Sequence, residues 1–281
     1  MPGSSPLLIT KANGERVPYD PARLRHSLER AGATAEMSAA IAAAVLPELR
    51  PGMSTRKIYR LAFRLLERRS RRVAGRYRLK QGIFDLGPSG FPFEDFIARI
   101  LAQDGHAVQL RILVRGRCIG HEIDVIAEDA DRRLLVECKY HGTQGRVCDV
   151  KVPLYIQARF SDVMAGSDAR VTGDGRRHEG WLVTNTRFTG DAFQYGQCAG
   201  LHLLGWDQPA RNSLRERIDR SGLYPLTCLG GLSRAEKHQL LAAGLVLASD
   251  VAVHPEALEL ARVPAPRRER VLREALELCR D

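Results

Sequence analysis

The 281-residue sequence has no C-x-x-C pair; its six cysteines, at positions 118, 138, 148, 198, 228 and 279, are scattered. That spacing argues against a zinc module. No apolar run is long enough for a transmembrane helix. The first residues, MPGSSPLLITKANG, lack the charged start and long apolar core of a signal peptide. Cytoplasm is the expected compartment and no membrane partner is expected. There is no G-x-x-x-x-G-K loop either, so nothing predicts hydrolysis of a nucleoside triphosphate at a P-loop.

What is present is charge, unevenly placed. The net charge is +10. Residues 1–90 hold 17 Lys+Arg against 7 Asp+Glu, whereas the remainder is balanced at 26 against 26. A basic segment favours polyanions such as nucleic acid or nucleotides. The densest run is Arg68, Arg69, Arg71 and Arg72, followed by Arg76, Arg78 and Lys80, with no acidic residue among them. The first four are candidate DNA contacts; a solvated helix face is the plain alternative. The composition, 44% hydrophobic and 27% charged, is that of an ordinary globular protein, and the length allows two domains.

The stretch Gly120–His141, GHEIDVIAEDADRRLLVECKYH, carries two apolar, β-branched runs on either side of the turn Asp129-Ala130-Asp131-Arg132. The pattern predicts an antiparallel hairpin. With the turn centred between Ala130 and Asp131, Asp124 falls opposite Glu137, and facing side chains on such a pair stand about 5 Å apart. Lys139 projects from the same face as Glu137, and Cys138 from the other as a small buried thiol. Two facing carboxylates repel, so a cation between them is the natural complement. Few acidic oxygens suit Mg²⁺, with Mn²⁺ as a substitute, because Mg²⁺ keeps several waters and binds phosphates. An ordinary hairpin with a charged, solvated face is the bland reading.

Asp124, twelve intervening residues and Glu137-Cys138-Lys139 resemble the D…(D/E)-x-K signature of the PD-(D/E)XK nucleases. The flanking EIDVIA and LLVECKYH are most similar to the Mrr-like restriction endonucleases within that group. The resemblance implies a restriction-endonuclease-like α/β core, a mixed sheet flanked by helices. It also implies Mg²⁺-dependent hydrolysis of DNA phosphodiesters in restriction or repair. Its catalytic set would be Glu94, Asp124, Glu137 and Lys139, with Asp124 and Glu137 as metal ligands. Glu94 enters because Phe93-Glu94 resembles the Phe-Glu on the family's opening helix; Asp95 competes with it. WLVTNTRFT resembles the family too, with Thr184, Asn185, Thr186 and Thr189 either meeting phosphate oxygens or capping the next helix. Gln157 faces either the site or solvent. His121 and His141 bracket the hairpin, either as transition-metal ligands or as ordinary polar loop residues.

Ahead of this region, Leu7–Lys11 and Arg16–Pro18 flank Asn13-Gly14, which predicts a two-residue hairpin turn. Asp20-Pro21 starts a helix to about Arg30, a second covers Ala35–Leu49, and Ser54 or Thr55 caps a third. The opening, ITKANGERVPYD, resembles the ATP-cone, a regulatory nucleotide module. Ile9, Lys11, Gly14, Pro18-Tyr19-Asp20 and Arg23 carry the match. The resemblance implies binding of ATP or dATP, with Ile9, Lys11, Arg23 and Thr55 at the nucleotide and Lys11 and Arg23 on its phosphates.

Gly82–Pro92 has the composition of a linker. Beyond it, the periodicity gives the order α-β-β-β-α-β-α-β. The expected domains are therefore 1–86 (ATP-cone, mainly helical with a short β-hairpin), 91–208 (nuclease core) and 209–281 (helical extension with a loosely held last helix). Leu232–Val246 within the extension vaguely resembles half of a helix-hairpin-helix element, a packing helix being the alternative. The competing function is a non-catalytic, nucleotide-sensing DNA-binding regulator. Cleavage of RNA or of repair intermediates, and a homo-oligomeric state, are compatible with the same residues.

Overall fold

The computed structural model describes residues 7–166 and 175–279. The chain opens on an antiparallel pair, β1 (Leu8–Thr10) and β2 (Arg16–Pro18), in the register Thr10↔Arg16. The turn between them is longer than the two-residue turn expected. The Lys11 amide donates to the Glu15 carbonyl (2.8 Å) and the Gly14 amide to the Lys11 carbonyl (3.0 Å). Gly14 has φ +86°, so the turn closes through a left-handed residue that glycine adopts without strain.

Asp20 caps α1 (Pro21–Arg30), Thr34 caps α2 (Ala35–Val45) and Ser54 caps α3 (Thr55–Glu67). Pro47 stops α2 short of Leu49 by forcing a 3-10 turn, Leu46–Glu48. Then come α4 (Arg71–Tyr77) and α5 (Leu79–Phe84). Leu24, Leu28, Ile41, Val45, Ile58 and Leu66 form the core beneath these helices.

Next are α6 (Phe91–Gln103), β3 (Ala107–Arg115), β4 (Gly120–Glu128) and β5 (Arg132–Lys139). They are followed by β6 (Val147–Cys148), α7 (Lys151–Met164), β7 (Arg177–Thr184) and β8 (Arg187–Phe188). The series ends with α8 (Gly190–Cys198), β9 (His202–Leu204) and α9 (Leu214–Ser221). The five-stranded sheet has the order β3-β4-β5-β7-β9. β4 is antiparallel to both β3 and β5, and β5, β7 and β9 are parallel. This is a mixed sheet flanked by helices. The α-β-β-β-α-β-α-β order holds, with the addition of the short parallel pair β6–β8. The expected linker is shorter than Gly82–Pro92, because α5 runs to Phe84 and α6 begins at Phe91. The Tyr140 hydroxyl donates to the Phe84 carbonyl (2.6 Å) and accepts the Gly87 amide (2.8 Å), which pins this connection to the end of β5.

The chain finishes with α10 (Arg234–Ala242), α11 (Ala248–Val253), α12 (Ala257–Leu260) and α13 (Ala265–Cys279). The described residues fall into two compact units. One is drawn from Met1–Gly82, Leu226–Leu240 and Ala248–Asp281, the other from Ile83–Pro225 and Leu241–Leu247. Residues 209–281 are thus not a separate extension, since most of them complete the N-terminal unit. Nor is α13 loosely held. It buries Val271, Glu274, Ala275 and Leu278. A Cβ on Gly75 of α4 would lie 2.9 Å from Leu278 Cδ1, so the missing side chain lets the two helices approach. Among the described residues no helix is long and apolar enough to cross a membrane.

Leu278 is 1% exposed and Leu276 50% exposed on the same helix. Leu278→Ala should therefore cost about 2–5 kcal/mol in urea unfolding, and Leu276→Ala less than about 0.5 kcal/mol. Equal effects would mean that α13 does not share the core of this unit.

Candidate active site

The hairpin forms in the register the sequence implies, with Val125↔Val136, Ile126↔Leu135, Ala127↔Leu134 and Glu128↔Arg133 paired. Asp129 closes the turn, its Oδ1 accepting the amides of Asp131 (2.9 Å) and Arg132 (2.8 Å). Continuing this register sets Asp124 opposite Glu137, but the regular pairing stops one residue short of them. The β3–β4 ladder is interrupted at the same level, passing from Leu110↔Val125 to Ile112↔Ile123. The residue skipped on β3, Arg111, has φ +54°, a conformation that costs a non-glycine residue about 1–2 kcal/mol. The residue skipped on β4 is Asp124. Its Oδ2 accepts the Cys138 amide at 2.7 Å, so a side chain replaces a backbone acceptor in the ladder. Ile123 and Ile126 lie an odd number of residues apart yet share one core cluster, so the in–out alternation shifts across Asp124.

Three carboxylates meet electrically at this break, and each has one oxygen held. Glu94, 8% exposed on α6, accepts Arg111 Nη1 at 3.1 Å through Oε2. Arg111 Nη2 reaches Asp95 at 2.9 Å, so Asp95 serves as part of the guanidinium clamp. Glu137 Oε1 pairs with Arg159 Nη1 of α7 at 2.7 Å, and Arg159 Nη2 donates to the Glu122 carbonyl. Glu137 Oε2 is buried and has no partner. Burial pushes the Glu137 carboxyl up to about 7. The charge of Asp124 adds to the rise, and Arg159 opposes it. Burial also raises Asp124, against the pull of the Cys138 amide. Glu94 is raised by burial and then by Asp124, with Arg111 pulling down. A cluster in which negative charge exceeds what the neighbouring cations relieve, with an orphaned oxygen inside it, fits a cation. Among the described residues no three His, Cys, Asp or Glu side chains are grouped closely enough to hold a metal. An ion held at Asp124 and Glu137 would thus have at most these two carboxylates from the protein and would keep several waters, as Mg²⁺ does.

Lys139 follows Glu137 by two residues on β5. It is exposed at the end of β5, and its charge acts on His141 and Cys148. Arg159 and Arg111 lower the Asp124 carboxyl against the effect of burial. The other candidates fill structural roles. Thr184 donates to the Lys139 carbonyl (2.7 Å), and Asn185 clasps the His141 backbone through both ends of its amide (2.9 and 2.8 Å). Thr186 is buried, and Thr189 caps α8. His121 Nε2 lies 2.8 Å from Asp162 and His141 Nε2 3.2 Å from Cys148, so the two histidines belong to different neighbourhoods. Arg111 and Arg159 were not among the sequence candidates. Arg111 sits in a strand pattern and Arg159 beside the apolar stripe Ile156-Phe160-Val163. The arginine flanking that stripe was the only available signal.

In the N-terminal unit, Ile9 is buried. Lys11 pairs with Glu15 (3.0 Å) and Arg23 with Asp20 (3.5 Å). Lys11, then more weakly Arg23, lowers the Glu15 carboxyl, so the two cations share a neighbourhood. A bridge from Thr10 to Ser54 brings Thr55, the first residue of α3, alongside β1. Arg68, Arg69 and Arg71 line a cavity that Arg72 does not reach.

The sheet, its flanking helices and the broken strand pair define a mixed α/β protein, and the comparisons give its kin. A family profile described as "AF1548-like, C-terminal" matches residues 224–279. An uncharacterized protein of Archaeoglobus fulgidus is 33% identical over 158 residues, 55% of this chain and 83% of that protein. The crystal structure of the protein of unknown function AF1548 superposes with a TM-score of 0.56 at 30% identity, covering 68% of this chain and 98% of that one. The chain belongs to the AF1548-like family.

The Glu137 environment gives a signed expectation. Between about 4.5 and 7 the native carboxyl keeps a proton that the unfolded chain has released. Stability therefore falls as pH rises through that window, by up to about 3 kcal/mol in total. Glu137→Gln, which cannot ionise, should raise the melting temperature clearly at pH 8 and little at pH 5. The same gain at both pH values would show that ionisation of Glu137 carries no cost.

Proposed function

We propose that this chain is a Mg²⁺-dependent DNA endonuclease with a restriction-endonuclease-like core, regulated by ATP or dATP at an ATP-cone-like N-terminal segment. The observation that carries the reading is the buried, unpartnered Glu137 Oε2 among the carboxylates of Asp124 and Glu94. Asp124 and Glu137 would hold the ion, which when bound polarises a phosphate and lowers the pKa of its water. Each has its second oxygen fixed by a protein donor, Cys138 N–H or Arg159, which limits rotation of the ligand. Glu94, steadied by Arg111, would orient a water. Lys139, on the solvent side, would meet the arriving phosphate and stabilise the charge that develops on it. At the N-terminal segment, Lys11 and Arg23 would exchange their present partners, Glu15 and Asp20, for nucleotide phosphates.

The second reading, a non-catalytic nucleotide-sensing DNA-binding regulator, is favoured by one observation: the exposed Lys139 has its charge acting on His141 and Cys148. Plasmid nicking with Mg²⁺, with and without ATP and dATP, separates the two. Asp124→Ala, Glu137→Ala and Lys139→Ala should each lower cleavage by at least about 100-fold while DNA affinity stays within about 3-fold. A Lys139→Ala protein cutting at the wild-type rate removes the lysine from the mechanism. Wild type inert with Mg²⁺ and with Mn²⁺ supports the regulator.

For the nucleotide, calorimetry should use the whole chain, because residues beyond 225 complete the N-terminal unit. Lys11→Ala should weaken ATP or dATP binding by about 10-fold. No heat from wild type at millimolar nucleotide would remove the nucleotide from the proposal.

A further inference from the structure

In the N-terminal unit, the junction of α3 and α4 faces the Gly230-Gly231 loop and α13 across a cavity of about 580 Å³. Four arginines line it: Arg68, Arg69 and Arg71 from the junction and Arg270 from α13. None of the four side chains makes a hydrogen bond or ion pair with another described residue. Their neighbours on α13 behave differently. Arg267 is bound to Glu236 (2.8 Å) and to the Gly231 carbonyl (2.7 Å), Arg268 to Glu259, and Arg273 to Glu269 (2.8 Å). Arg270 alone among these four arginines of α13 is left open, and it is the one turned to the cavity.

The acid in the cavity wall does not answer this charge. Glu274, 7% exposed, has its carboxylate taken by the amides of Gly230 and Gly231, the latter at 2.9 Å. Glu67 is the remaining carboxylate in the lining. Four arginines around one concavity give it a positive potential. Guanidinium forks match phosphate oxygens two at a time. The volume lies in the range of sites that enclose a small ligand.

We propose that this cavity is a phosphate-binding site for a ligand with at least two phosphates, and that the C-terminal segment supplies part of it through Arg270. The phosphates belong either to a free nucleoside polyphosphate or to the backbone of a nucleic acid. The site is distinct from Lys11 and Arg23, whose charges already have carboxylate partners. It needs no metal and no chemistry at Glu137, so its failure and that of the nuclease reading are separately visible.

The test uses the whole chain in EDTA, which silences any divalent-metal site. One arm titrates sodium tripolyphosphate and ATP by calorimetry. The other follows a labelled duplex oligonucleotide by anisotropy over a range of salt. Arg270→Gln should weaken binding by about 5- to 10-fold in the arm that carries the ligand, Arg72→Gln by less than about 2-fold, and Arg270→Lys should recover part of the loss. Replacing Arg68, Arg69, Arg71 and Arg270 together with Gln should remove the cavity's share of binding in the polyphosphate arm, leaving only what Lys11 and Arg23 hold, or flatten the salt slope by roughly 3–4 units in the duplex arm. Loss confined to the first arm identifies a free polyphosphate. Loss confined to the second identifies a nucleic-acid backbone, and loss in both identifies a site open to either. Wild-type affinity in the quadruple variant, or no binding of either probe by wild type, overturns the proposal. The four side chains hold no partner among the described residues, so matching melting curves should confirm that the variants are intact.

Discussion

The hydrogen bond from the Cys138 amide to the Asp124 carboxylate sets the geometry of the sheet unit. A strand amide ordinarily meets a carbonyl on the neighbouring strand. Here it meets a side chain, and the pairing between β4 and β5 ends beside it. The same carboxylate stands where Arg111 leaves β conformation, so the ladder on the other side breaks as well. One acidic residue is thereby freed from regular alternation on both edges. Asp124 can then face Glu94 and Glu137, each reached from a different element. Local strain and loss of ladder bonds are tolerated because the flanking core positions are buried, with Ile123, Val125 and Val136 at 0% exposure. This is the expected relation between a rigid sheet and a site that departs from its rules.

Much of this was legible in the residues. The hairpin turn, the facing of Asp124 and Glu137 and the helix bearing Glu94 follow from period and turn chemistry, which act over a few residues. Three things were not legible. Arg111 sits in AVQLRILVR, a run with no glycine or asparagine to announce a left-handed residue; only the clamp on Glu94 and Asp95 explains it. Arg159 is linked to Glu137 by the packing of a crossover helix, and no local pattern encodes that distance. The place of α13 depends on Gly75 and Leu278, two hundred residues apart in sequence. Lys139 is a different case. Alternation puts it on the same strand face as Glu137, but alternation says nothing about where a long flexible side chain directs its charge at the end of a strand.

Total charge and partnered charge carry different information, and the two units separate them. Residues 91–281 balance at 26 basic and 26 acidic. In the sheet unit that balance is realised as contacts: Arg111 with Glu94 and Asp95, Arg159 with Glu137, Arg133 and Arg176 with Glu128, Arg217 with Asp104. Arginines used in this way shape the protein and offer little to a ligand. Arg270 belongs to the balanced part of the sequence by number but to the basic unit by fold, and it is unpaired. A count by segment therefore credits the N-terminal third with the whole positive surface, although part of that surface comes from the last helix. The sorting that matters physically is whether each guanidinium has already found a carboxylate. By that criterion the four arginines around the cavity of the N-terminal unit stay open, whereas Arg111 and Arg159 are committed to the carboxylates of the sheet.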